Sequence, residues 1–174
     1  MKWLKDRLFN YKLKSRLSSL QADKKVVNQN KVKSIGMLFD DSQISNPKEL
    51  QSYVDKWTKN GKSVETFSFV DIKDFEENID DTGKFCRKDI NWFQVPQGDK
   101  VDAFLNKPYN ILITINPAKK QHLHFLNAVS SAKFKIGLLP DEVEFYDLVI
   151  DLEENANVKK IFSDIQETLD KLSI

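Results

Sequence analysis

The sequence predicts an α/β fold: a three-layer, Rossmann-like or flavodoxin-like arrangement around a mostly parallel sheet, with a basic helical arm at its N-terminus. Three observations carry this. Short apolar runs rich in β-formers recur along the chain, and helix-periodic segments separate them. Crossovers between parallel strands are right-handed, which lays helices on both faces of the sheet. Ten of the 27 Lys and Arg residues fall within the first 34 positions.

The elements follow in order. In the arm, Phe9, Leu13, Leu17 and Leu20 share one helical stripe, Leu4, Leu8 and Tyr11 lie roughly opposite, and Trp3 sits to one side. A helix apolar on two faces seldom stands free in water. It packs one face on its own domain and offers the other to a partner, or it kinks near Asn10. Residues 21–33 are polar and read as a linker, dividing the chain into an arm (1–33) and a body (34–174). Residues 34–39 (SIGMLF) form a buried strand. Asn46-Pro47-Lys48-Glu49 starts a helix, with Asn as cap and Pro in the first turn, and Asn60-Gly61 ends it. Residues 64–70 (VETFSFV) make a second strand. Residues 72–79 are open to a short helix, and 85–93 fit either a strand or an extended loop. A short helix covers residues 99–105. Residues 109–115 (YNILITI) are the central-strand candidate, and Asn116-Pro117 caps the helix carrying Leu123, Leu126 and Val129. Strands at 133–138 and 146–152 follow, then a final helix over 157–172.

At 174 residues the chain can bury a core without staples. Its one cysteine, Cys86, rules out an intrachain disulfide framework and fits a reducing compartment. The N-terminus has no continuous apolar stretch of signal-peptide type, and no run reaches membrane-spanning length. The expected address is cytoplasmic. The net charge of +1 hides an asymmetry: residues 1–34 carry +8 and the remainder −7. Such a split suits an arm that meets an anionic surface.

Catalytic and cofactor motifs are not evident. After the first strand come Asp40, Asp41, Ser42 and Gln43, without the glycines a dinucleotide or P-loop site needs. Asp40 and Asp41 could hold a divalent ion, but the commoner role is to cap the following turn. His122 and His124, two apart on a helix, point to different faces and do not share a metal. Cys86 reads as a small buried residue rather than a nucleophile with a histidine base. No cofactor, metal or catalytic residue is therefore expected. In residues 85–96 (FCRKDINWFQVP), Arg87, Lys88, Trp92 and Phe93 form a candidate recognition surface, set against a sheet-edge segment whose aromatics close the core.

The segments at 85–96, 109–138 and 145–152 resemble a family of short uncharacterised proteins from Bacteroidota, over nearly the whole chain. That resemblance implies a fold and a cytoplasmic setting, with no activity attached. The 146–152 strand (YDLVIDL) and the KIG-type strand are also similar to the N-terminal, Rossmann-like half of heptosyltransferase-type glycosyltransferases. This chain lacks that family's glycine-rich start and second domain, and fold alone transfers no function.

The leading expectation is a non-enzymatic docking protein. Its candidate contacts to RNA, or to a ribonucleoprotein such as the ribosome, are Lys2, Trp3, Lys5, Arg7, Lys12, Lys14, Arg16, Lys24 and Lys25. In that expectation the α/β body meets a protein partner; attachment to an anionic membrane surface and a degenerate glycosyltransferase-like, nucleotide-sugar-binding crevice near Asp40, Asp41 and Asn116 are the alternatives.

Overall fold

The computed structural model describes residues 1–20, 32–138, 143–150 and 158–171. Its centre is a six-stranded sheet of β1 (Ser34–Asp40), β2 (Ser63–Phe69), β3 (Lys84–Phe85), β4 (Ile111–Ile115), β5 (Lys135–Leu138) and β6 (Leu148–Ile150). The spatial order is β3-β2-β1-β4-β5-β6, with every neighbouring pair parallel. This is the Rossmann order, in which the chain builds outward from β1 in one direction and then from β4 in the other. The central register sets Ile35 beside Val64 on one side and Ile111 on the other.

Strand side chains alternate between two apolar layers, as a sheet covered on both faces requires. Ile35, Met37, Phe39, Ile111, Ile113 and Ile115 meet α2 (Pro47–Lys59) and α5 (Val158–Lys171) through Leu50, Trp57, Ile161, Phe162 and Ile165. The buried indole N–H of Trp57 donates to Gln166 Oε1 at 2.8 Å, which removes the cost of burying it. The opposite layer joins Leu38, Phe67, Phe69, Phe85 and Leu112 to α3 (Asp99–Leu105) and α4 (Gln121–Val129). There the buried Thr114 hydroxyl donates to Asn127 Oδ1 at 3.0 Å, and Asn127 Nδ2 donates to the Phe145 carbonyl at 3.0 Å.

The arm is one helix, α1 (Lys2–Ser19), with no break at Asn10. Phe9 and Leu13 are buried in the α3–α4 layer, and Leu17 and Leu20 pack against its edge. The Phe9 ring meets Phe125 of α4 edge to face at 5.8 Å, and Arg16 pairs with Asp102 of α3 at 3.2 Å. One apolar stripe is thus spent within the molecule. On the other, Leu4 and Tyr11 stay exposed while Leu8 is half-buried.

Three local expectations need correction. Residues 72–79 form bends and turns, not a helix. Their carbonyls are drawn into pairing elsewhere: Arg87 N–H donates to Ile72 O and Lys88 N–H to Lys73 O. The 85–93 stretch divides into the two-residue β3, a 3₁₀ turn at Arg87–Asp89 and a bridge between Ile90 and Pro96. Asn116-Pro117 does not start α4, which begins at Gln121. Asn116 instead clamps the intervening loop, accepting from Lys120 N–H at 2.8 Å and donating to Lys120 O at 3.1 Å. An amide engaged with a residue four positions on closes a loop, whereas an N-cap serves the second or third helical N–H. By contrast, Asn46 caps α2 through Glu49 N–H, with Pro47 in its first turn and Gly61 at φ +80° beyond its end.

Because the Phe9 stripe belongs to the core, Phe9→Ala is expected to destabilise the protein by about 3 kcal/mol in urea denaturation. A loss below about 1 kcal/mol would mean that α1 lies loosely on the body.

Candidate functional site

In a sheet of this order the connections leave β1 and β4 toward opposite faces, which opens a crevice beyond their carboxyl ends. Asp40 ends β1 and Asn116 follows β4. Asp40 is almost fully buried. Its Oδ1 accepts from Ser42 N–H at 2.9 Å and caps the 3₁₀ turn at Asp41–Gln43. Its Oδ2 has no hydrogen-bond partner and lies 3.7 Å from Lys120 Nζ. Among the described residues, no group of three His, Cys, Asp or Glu side chains is placed to hold a metal ion.

Beside this point lies an open cavity of about 430 Å³. Phe69 at the end of β2 and His122 in the first turn of α4 line its inner wall. Arg87, Ile90, Asn91, Trp92 and Gln94 form one side, and Asp71, Lys120 and Lys5 of α1 complete it. Asp40 and Asp41 do not line it. Asn91 shapes the rim, its Oδ1 accepting from Phe93 and Val95 N–H, and Gln94 takes a φ of +68° in the resulting turn.

His122 is 4% exposed, with its ring 4.2 Å from that of Phe69 and 6.0 Å from that of Phe85. Neither ring nitrogen has a hydrogen-bond partner. Burial lowers its pKa from 6.5 to about 4; Lys120 adds to the effect, and Asp40 and Asp71 oppose it. The imidazole is therefore neutral at pH 7.

The other candidate residues are distributed as follows. Arg87 pairs with Asp71 at 2.7 Å, which holds the Asp71 carboxyl below its usual range. Lys88 pairs with Asp74 at 2.9 Å and does not line the cavity. Trp92 is 51% exposed, whereas Phe93 packs against the core with its ring edge-on to Trp92. Cys86 is buried and its thiol donates to Lys73 O at 3.6 Å. His124 turns toward Phe145, at 5.4 Å.

A second feature is the outward side of α1. Trp3 and Tyr11 are 69% and 68% exposed, and the Arg7 guanidinium lies 5.5 Å from the Trp3 ring centre. Lys2, Arg7, Lys12 and Lys14 are exposed, and Lys5 is half-buried. Among the described residues none of these five cations is ion-paired with a carboxylate; Arg16 is. Lys24 and Lys25 lie outside the described residues. The two features meet at Lys5, whose Nζ is 6.0 Å from the Trp92 ring centre. Lys5, far in sequence from Arg87 and Trp92, thus shares one cavity with them. Sequence reasoning did not place Lys120, Asp71 or Asn91 there, and it weighed His122 only as a metal ligand or base. The available signal was a pair of lysines and a histidine where a helix follows the central strand.

A model of a family of unknown function, DUF6913, matches residues 5–172. The chain belongs to that family. No curated protein and no solved structure matches it. The match takes in most of α1 as well as the sheet of this DUF6913 protein. No helix among the described residues is long and apolar enough to cross a membrane.

The state of His122 makes stability depend on pH. The unfolded chain takes up a proton near pH 6.5, and the fold resists it until about pH 4. The contribution of the neutral ring is complete above pH 6.5 and is lost as pH falls toward 4, by roughly 3 kcal/mol at most. His122→Phe, which suits the Phe69–Phe85 surroundings, is expected to remove that part of the acid sensitivity while retaining stability at pH 7.5. Urea denaturation at several pH values measures both; an unchanged acid slope in the variant would assign the sensitivity to other groups.

Proposed function

We propose that this DUF6913 protein is a non-enzymatic docking module of the cytoplasm, which uses the outward side of α1 to attach the α/β body to RNA, as free RNA or within a ribonucleoprotein such as the ribosome. The observation that carries this reading is the unneutralised charge on α1. Lys2, Lys5, Arg7, Lys12 and Lys14 lack carboxylate partners among the described residues, and Trp3 and Tyr11 are exposed among them. Cations neutralise phosphates and release counterions, and exposed rings stack on unpaired bases.

The same helix argues against a bilayer as partner. A helix lying in a membrane surface needs a broad apolar face directed at the lipid. Here the longer apolar stripe, Phe9 to Leu20, faces α3 and α4, and the outward side retains Leu4 as its exposed aliphatic residue.

Deleting α1 would strip cover from the core, so charge reversal at exposed positions is the cleaner test. Full-length protein is expected to bind a short single-stranded RNA with a log K against log salt slope of up to about −3.5, from five phosphate contacts. Arg7→Glu with Lys14→Glu should weaken binding by about tenfold or more and flatten the slope. Salt-independent binding, or equal affinity in the double variant, would overturn the reading. Tighter binding to phosphatidylserine vesicles than to RNA would also overturn it, in favour of a membrane surface.

A further inference from the structure

The cavity at the carboxyl edge of the sheet carries more chemistry than a surface depression needs. Its lining cations, Lys5, Arg87 and Lys120, face one lining carboxylate, Asp71, which Arg87 already neutralises. Lys120 forms an ion pair with Asp40 at 3.7 Å, beyond hydrogen-bond distance, so its charge is partly offset while its N–H donors are not committed to that carboxylate. The nine-residue α4 begins at this wall without a side-chain cap, and the first N–H groups of a helix lack intrahelical partners and favour negative charge. A second observation stands beside it: the imidazole of His122, a residue of the cavity wall, is more than nine-tenths buried, and both of its nitrogens are closed to solvent and unpartnered. A neutral imidazole offers one N–H donor and one acceptor. The rest of the lining combines the rings of half-exposed Trp92 and buried Phe69 and the aliphatic Ile90 with the polar Asn91 and Gln94.

We propose that this cavity binds a planar anionic small molecule of the nucleoside monophosphate type, its ring against Trp92 and its phosphate at Lys120 and the start of α4, beside the buried His122. The volume of about 430 Å³ fits one ring system with one phosphate, within the range of small-molecule pockets. Asp40 and Asp41 stand where a dinucleotide fold places its glycine-rich phosphate turn, so the anion is received after β4 instead. The net positive lining excludes a free divalent cation as the occupant. This inference does not depend on RNA docking: of the α1 side chains it uses only Lys5.

The test is isothermal titration of full-length protein with AMP, adenosine and inorganic phosphate at low ionic strength and neutral pH. AMP is expected to bind saturably and more tightly than either fragment. Lys120→Glu should weaken AMP by about tenfold or more, through loss of a charge-assisted contact and repulsion of the phosphate. Trp92→Ala should weaken AMP by about tenfold through lost stacking and leave inorganic phosphate unaffected. Both positions are part-exposed, and circular dichroism checks that the variants fold. Arg7→Glu with Lys14→Glu should leave AMP binding intact even where it abolishes RNA binding, which separates the two sites. Lack of saturation at millimolar AMP would overturn the proposal. So would unchanged affinity in both cavity variants, inorganic phosphate binding as tightly as AMP, or loss of AMP binding through the Arg7 and Lys14 changes alone.

Discussion

Phe9 and Leu13 of α1 close the α3–α4 side of the core, and that packing orients everything else on the basic arm. Burying two large apolar side chains is worth roughly 3–6 kcal/mol, far more than the half-exposed Arg16–Asp102 pair beside them. Once this stripe faces inward, helical geometry directs Trp3, Arg7 and Tyr11 to solvent. It also carries Lys5 to the rim of the crevice, next to Trp92. The charge asymmetry of the chain therefore becomes a surface with a fixed orientation on a folded body.

The crevice has a different energetic character. A histidine held neutral against phenylalanines with both nitrogens unpaired costs of the order of 1–3 kcal/mol relative to a satisfied one. The buried Asp40, with one carboxylate oxygen that lacks a hydrogen bond and is paired with Lys120 only at 3.7 Å, adds a second cost on the same edge of the sheet. Elsewhere Trp57 has Gln166, and Thr114 and Asn127 share a network that ends on the Phe145 carbonyl, while the buried Tyr109 hydroxyl before β4 is also without a hydrogen-bond partner. The costs at His122 and Asp40 both fall on the edge where this topology places ligands.

Much of the architecture was legible because it rests on local patterns. The α2 boundaries follow from Asn46-Pro47 and Asn60-Gly61, and β1 and β4 follow from their continuous apolar runs. Where an element depends on partners distant in sequence, the pattern misleads. Residues 72–79 look helical by spacing, but the N–H groups of Arg87 and Lys88 claim their carbonyls. Asn116 resembles a helix cap, but it closes a loop on Lys120 and delays α4 by a turn. The 85–96 stretch could be flagged for its aromatics and charges. Which ring would be exposed depended on packing: Trp92 stays at the surface, and Phe93 goes to the core.

By itself, the sequence determined the α/β class, the alternation of strands and helices, the capped α2, the absence of a glycine-rich phosphate turn after β1, and the crowding of cations into the first 34 residues. These are properties of neighbours along the chain, set by periodicity, capping and composition. Tertiary structure alone decided the strand order, which of α1's two apolar stripes is buried, and the meeting of Lys5, Arg87, Trp92, Lys120 and His122 around one cavity. The reason is physical: a cavity is made by side chains on separate elements, and their approach is set by burial of the sheet's two faces, which no local spacing encodes.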